Sequence, residues 1–284
     1  MLTYLKGDIF SSPAQVLVNT VNTVGVMGKG VALEYKNRYP EMFRYYQGLC
    51  DEGKFGVGNL ALWKSEDKWI LLFPTKKHWR NPSQMEYIEA GLKKFVASYY
   101  KMGIESIAFP RLGCGNGQLR WEDVQPVMEK YLSDLPIQIF VYVDQYKEEL
   151  PEHKQIMAME KWLHSNVPSI GFSTIKEDIQ KRIADDGMLP LQNGKFYHVE
   201  WNENIVIIKD GTEKKIEEKL FCRFWNYVRE TGVFKTEDLP QEFEDSAEYM
   251  IEMLKSLDYL QNIIVSPNGF DFEKDSNGFQ YVGK

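Results

Sequence analysis

Apolar positions in the first half of the chain fall into short runs separated by amphipathic stretches. Strand patterns occupy residues 3–6 and 14–20, the second continuously apolar through Val16, Leu17 and Val18, as expected of a strand covered on both faces. The pattern then predicts a helix over 30–39 stopped by Pro40, a strand over 69–73 and a long amphipathic helix over 85–102 ending at Gly103. A strand over 106–110, a helix over 121–132 and a strand over 137–143 complete the series. Strands alternating with helices predict an α/β sandwich around a mainly parallel sheet, whose ligand should lie outside the carboxyl ends of the strands.

A connecting region follows around 151–173, with a helix over 152–164 and a break at Val167, Pro168, Ser169 and Gly171. The rhythm then changes to a helix over 175–184 and two strands, 195–201 and 204–209, turning at Asn202 and Glu203, with 205–208 read as a buried run. Helices over 214–229 and 246–257 come next, then a hairpin of 263–265 with 270–272 turning at Pro267, Asn268 and Gly269. The chain therefore divides into a first domain over 1–165 and a smaller α+β, winged-helix-like domain over 172–284. Trp121 and Trp225, each on a helix among apolar neighbours, are core residues in this reading.

A length of 284 residues, 43% hydrophobic and 26% charged, is ordinary globular material for two modest domains. No apolar run approaches the roughly 18 to 20 residues that span a bilayer, and the N-terminus lacks a signal-peptide pattern, so a soluble cytoplasmic protein with no membrane contact is expected. Cys50, Cys114 and Cys222 are odd in number and far apart, which suits reduced thiols; with only four histidines, neither a metal nor another cofactor is expected. Charge is uneven. Residues 1–165 hold 20 Lys/Arg and 19 Asp/Glu against 14 and 22 in the remainder, or about +1 and −8. An acidic second part repels nucleic acid and favours a basic partner.

Candidate chemistry lies in two glycine-rich loops, each between a strand and a helix. The first holds Asn19, Thr20, Asn22, Gly25, Met27, Gly28, Lys29, Gly30 and Val31, where glycines permit close backbone approach and a helix N-terminus offers amides to anionic oxygen. It is neither a Walker A nor a dinucleotide fingerprint, and a tight structural turn explains the glycines equally well. Asn22 either hydrogen-bonds a sugar hydroxyl or caps its own loop. The second loop contains Leu112, Gly113, Cys114, Gly115, Asn116 and Gly117. Two such loops from neighbouring strands can grip a diphosphate through backbone N–H groups. Cys114 reads as a small packing residue more readily than as a nucleophile.

Together, the early segment Lys6-Gly7-Asp8-Ile9, the Asn22 and Gly28-Lys29-Gly30 loop and the run from Arg111 to Gly117 resemble the macrodomain, an ADP-ribose-binding α/β/α fold of three layers. Within that superfamily, the first loop and the segment from Phe73 to Arg80 resemble DarG-type antitoxins, which strip ADP-ribose from DNA bases modified by a DarT toxin. The resemblance covers roughly residues 1–150. It implies that Asp8, with Ile9, holds the adenine, that the first loop holds the distal ribose and the second the diphosphate, and that Thr75 borders the same pocket. Position alone would leave Asp8 a turn-capping residue.

In related lysine-dependent hydrolases the lysine matching Lys76 attacks the anomeric carbon of the distal ribose. An amine taken out of water among other cations loses its proton more readily, and a Schiff-base-like intermediate divides a hard glycosidic step in two. A phosphate-binding or solvated lysine is the alternative. Relatives that act on protein carboxylates pair the lysine with an aspartate where this chain has Gly117, so either Asn22 orients the ribose while another acid assists, or water and the substrate's hydroxyls suffice.

Lys77, His78, Trp79 and Arg80 extend Lys76 into a basic and aromatic cluster suited to single-stranded nucleic acid, with Trp79 or Arg80 against the modified strand. A solvated loop around a buried tryptophan is the plainer reading. The expected function is an ADP-ribosyl glycohydrolase acting on ADP-ribosylated single-stranded DNA, neutralising a DarT-type toxin that its acidic second domain binds. Hydrolysis of ADP-ribose on protein carboxylates and non-catalytic ADP-ribose binding are the alternatives.

Overall fold

The computed structural model describes residues 1–143, 151–166, 169–183, 187–192, 194–209, 211–265 and 276–282. The chain separates into two compact units, 1–162 and 163–284.

The first unit is built on β1 (Leu2–Leu5), β2 (Val16–Val21), α1 (Gly30–Arg38), α2 (Pro40–Asp51), β3 (Ala61–Lys64), β4 (Trp69–Pro74), α3 (Met85–Met102), β5 (Ser106–Pro110), α4 (Trp121–Leu132) and β6 (Gln138–Tyr142). A six-stranded sheet runs in the order β1-β6-β5-β2-β4-β3, parallel except for β3, which lies antiparallel against β4. Because side chains alternate across a strand, the central β2 feeds two cores. Val16 and Val18 pack with Ile88, Leu92 and Phe95 of α3 and Val124 and Met128 of α4. Leu17 and Val21 pack on the opposite face with Tyr35 of α1 and Met42, Phe43 and Tyr46 of α2. Burial on both faces is why β2 reads as an unbroken apolar run. The result is the expected three-layer α/β/α sandwich.

Two elements of this unit escaped the sequence pattern. Pro40 does not end structure but starts α2, where its missing N–H costs nothing at the first helical position. The edge strand β3 is short and only half-buried, so it carries little apolar signal. After β6, Glu152–Lys154 forms a single 3-10 turn, and α5 (Ile156–Ser165) follows in place of one continuous helix.

The second unit contains α6 (Phe172–Arg182), β7 (Met188–Pro190), β8 (Phe196–Trp201), β9 (Asn204–Lys209), β10 (Thr212–Glu217), α7 (Glu218–Thr231), β11 (Val233–Lys235), α8 (Ala247–Ser256), β12 (Leu260–Val265) and β13 (Ser276–Tyr281). One antiparallel sheet runs β10-β9-β8-β7 and another β11-β13-β12. After α7 come β11, α8, β12 and β13, with β13 lying between β11 and β12 in its sheet. The helix expected over 214–229 is corrected here: 212–217 is a strand burying Ile216, and α7 starts at Glu218. The run 205–208 is covered on one face only, with Ile205 and Ile207 buried and Ile208 exposed. Trp225 is core, its indole N–H donating to the Ile170 carbonyl at 3.0 Å, whereas Trp121 is half-buried and meets the Tyr4 ring edge-on. Ala184, Val167, Pro168 and the turn and strand expected over 267–272 lie outside the described residues.

No helix among the described residues is long and apolar enough to cross a membrane. Among those same residues, no group of three or more His, Cys, Asp or Glu side chains could hold a metal ion.

Candidate active site

In the first unit β2, β4 and β5 end side by side, at Val21, Pro74 and Pro110. The segments that leave them enclose a cleft of about 690 Å³. Its place at the carboxyl ends of parallel strands follows from the topology, since each crossover loop must pass over that edge.

The first wall runs from Asn22 into α1. Asn22 braces it: its Nδ2 donates to the Val26 carbonyl at 2.6 Å, while its Oδ1 accepts from the Val24 and Val26 amides and the Tyr46 hydroxyl. Thr23 anchors the loop to the neighbouring segment, its amide and hydroxyl donating to the Lys77 carbonyl at 3.1 and 2.8 Å. Gly30 opens α1 at φ +56°, and a Cβ there would sit 2.8 Å from the Asn116 side chain, so the two loops approach this closely only across a glycine. The first turn of α1, through Gly30, Val31 and Ala32, lines the cleft. Amides of a first helical turn lack intrahelical acceptors and suit an anionic oxygen.

Residues 110–117 make the second wall, tightened by Leu119 N–H donating to the Gly113 carbonyl and Gln118 N–H to that of Gly115. Gly117 has no room for a side chain: a Cβ would fall 2.2 Å from Ser83 Oγ and 2.4 Å from the Gly113 carbonyl. Cys114 lines the cleft, but burial pushes its thiol up to about 12, so it is not a usable nucleophile at neutral pH.

Between the walls lies Lys76, two residues past the end of β4 and only 6% exposed. Its Nζ donates to the Asn116 carbonyl at 3.2 Å and to Glu152 Oε2 at 3.3 Å. Both side chains are 7% exposed, and both line the cleft. Burial pushes the Glu152 carboxyl above the usual carboxylate range, with the Lys76 charge opposing. The chain just after Glu152 is tied to both walls: His153 bonds Gln118 at 2.8 Å, and Lys29 Nζ donates to Gln155 at 2.5 Å. Met159 fills the space a side chain at Gly28 would need.

Of the residues singled out in the sequence, the cleft brings together Thr20, Asn22, Gly28, Lys29, Gly30, Val31, Thr75 and Lys76 with the second-loop residues Gly113, Cys114, Gly115, Asn116 and Gly117. It does not include Asp8, Ile9, Asn19, Met27 or Leu112. Ile9, Met27 and Leu112 are core side chains, and Asn19 is fully buried with its amide on Met27 Sδ. Asp8 is exposed and accepts from the Phe10 amide at 3.0 Å, the turn-capping geometry. Asn22 lines the cleft while its carbonyl oxygen accepts from three donors, the geometry of a residue that braces its own loop. Trp79 is fully buried, which corrects its reading as a surface on which a base stacks; Arg80 lies over its ring and pairs with Glu160 at 2.7 Å, while Lys77 is exposed. Glu152 went unnoticed. It lies 76 residues from Lys76, beyond the glycine motifs, and no local pattern marks it.

The Macro domain family matches residues 18–128. A DNA ADP-ribosyl glycohydrolase of Thermus aquaticus is 42% identical over 147 residues, half of this chain and 41% of the relative. A DNA ADP-ribosyl transferase-DNA ADP-ribosyl glycohydrolase fusion protein of Thermosipho africanus is 40% identical over 161 residues, again half of this chain and 42% of the relative. The chain thus matches less than half the length of these two proteins. An ADP-ribose glycohydrolase of Bos taurus is 30% identical over 142 residues, which are half of this chain but 90% of that protein. A parallel sheet between two helical layers, two glycine loops across its carboxyl edge and near-complete coverage of a relative of this kind lead to one conclusion: the chain belongs to the macrodomain family.

Proposed function

We propose that the first unit is a DNA ADP-ribosyl glycohydrolase, releasing ADP-ribose from a modified base in single-stranded DNA. The observation that carries this reading is the placement of Lys76 Nζ, buried in the cleft between two backbone-lined loops. A diphosphate gripped by the amides of the second loop and the first turn of α1 would present its distal ribose to that amine. Lys76 then attacks C1″, the bond to the base nitrogen breaks, and water later releases ADP-ribose from the amine. The names of the relatives from Thermus aquaticus and Thermosipho africanus support DNA as substrate. Exposed Lys77 at the same loop suits the phosphates of the strand.

The fusion of glycohydrolase and transferase in the Thermosipho relative supports an antitoxin role against a DarT-type transferase, a role that suits a cytoplasmic protein. In this reading the acidic second unit binds the toxin's basic DNA-binding surface by matching its charge. The test is to incubate the chain and its Lys76→Ala variant with ADP-ribosylated single-stranded DNA and with ADP-ribosylated protein. Release from DNA alone, abolished by the substitution, is expected; release from protein alone, or unchanged activity in the variant, defeats the reading. Toxin pull-down by residues 1–165 without the second unit would defeat the assignment of its partner.

A further inference from the structure

We infer that Glu152 is the acid–base partner of Lys76, carrying the proton that the amine must lose and the departing base must gain; this rests on Lys76 being the nucleophile. The argument begins with the carboxylates that line the cleft. Among the described residues these are Glu34 and Glu152. Glu34 sits one turn into α1, 39% exposed, and is held by Arg38 at 2.6 Å. Glu152 is 7% exposed and its Oε2 is 3.3 Å from Lys76 Nζ. An amide such as Asn22 exchanges no proton, burial keeps the Cys114 thiol protonated, and Gly117 has no room for a side chain.

A buried ion pair seldom repays the desolvation of its two charges and is a poor device for stability. Its retention in a ligand cleft is the arrangement expected of a proton-transfer pair. Burial disfavours both charged forms, so moving the proton from the ammonium to the carboxylate leaves two neutral groups where two charges had been confined. The sequence of steps balances. Glu152 takes one proton from Lys76. The free amine forms a bond to C1″ as the bond from C1″ to the base nitrogen breaks, and that nitrogen keeps the electron pair. The Glu152 carboxylic acid returns its proton to the departing nitrogen. The adduct nitrogen now carries two protons, and it opens to an iminium by passing one of them to the ring oxygen. The carboxylate then removes a proton from the water that adds to C1″. Glu152 returns that proton to the nitrogen, and collapse of the adduct expels the amine, which takes up the hydroxyl proton, and releases ADP-ribose. The net change is addition of one water across the glycosidic bond.

The test compares the full chain with Glu152→Gln, Glu152→Asp and Lys76→Ala in single-turnover release of ADP-ribose from an ADP-ribosylated DNA oligonucleotide between pH 5 and 9. Affinity for free ADP-ribose is measured in parallel by calorimetry. Wild type should give a bell-shaped profile, because one proton must be shared by the pair. Glu152→Gln should lose at least about a hundredfold in rate with ADP-ribose affinity within about threefold, and its profile should lose the alkaline limb and rise through a single ionisation. If it instead fails to bind ADP-ribose, the Asp variant decides, a bell displaced along the pH axis supporting the assignment and a superimposable one overturning it. Turnover by Glu152→Gln within threefold of wild type, with the same bell, overturns the inference while Lys76→Ala stays inactive. Activity in Lys76→Ala removes the nucleophile itself and so defeats the underlying reading.

Discussion

Replacing Lys76 by Met should cost stability in a way that depends on pH, and the size follows from the surroundings of Glu152. The Met side chain fills similar volume but leaves a carboxylate, 7% exposed, without its cation at 3.3 Å. Removing one member of a buried pair generally costs about 3–5 kcal/mol when the orphan must stay charged. Glu152 can escape by taking up a proton. Its folded-state pKa is already raised by burial and rises further once the opposing Lys76 charge is gone. A raised carboxyl pKa means the folded state holds a proton the unfolded chain has lost. The stability from that proton is fully present below the unfolded value, near 4.3, and is lost as pH rises through the folded value, by at most about 1.4 kcal/mol per pH unit. Between pH 5.5 and 7.5 the ceiling is therefore about 2.7 kcal/mol. Urea unfolding of the full chain, followed by circular dichroism at both pH values, measures the difference against wild type. The double variant Lys76→Met with Glu152→Gln should lose this added slope. An equal cost for Lys76→Met at the two pH values, or the same slope in the double variant, would refute the reasoning.

Further outcomes are expected. Gly117→Ala should weaken ADP-ribose binding more than tenfold in calorimetry, because the Cβ would meet the rigid Gly113 carbonyl at 2.4 Å and force the second loop apart. Trp79→Ala should destabilise by about 3–5 kcal/mol, read as a fall in thermal midpoint, since the ring is fully buried; Trp79→Phe should keep most DNA binding, because no ring face is offered to a base. Cys114→Ser should turn over within about twofold of wild type, and iodoacetamide should label Cys114 only slowly below pH 9, as its thiolate forms near pH 12.

The apolar alternation of the first unit was legible because its strands are covered on both faces and its long helices carry a clear stripe; residues 85–102, 106–110 and 121–132 coincide with α3, β5 and α4. Pro40 misled because proline ends one helix and begins another by the same geometry. Further on, the pattern of 214–217 was absorbed into the following helix, although those residues pair with β9 as part of a separate strand. At the site, the glycine loops announced the cleft, because close backbone approach requires glycine. Side-chain roles were harder. Trp79 has the right chemistry for a ligand but is consumed by the interior, and only coordinates reveal such a commitment. Glu152 reaches Lys76 through a fold-level return of the chain that no spacing rule encodes.

That return sets how the protein can be divided. The family match stops at residue 128, yet Glu152, which lines the cleft, and Gln155 and Met159, which meet Lys29 and the Gly28 position on its first wall, come from a segment just before the second unit begins. A fragment trimmed to the recognisable boundary would keep both glycine loops and the lysine, yet lose β1 and β6 from the sheet and the carboxylate 3.3 Å from that lysine.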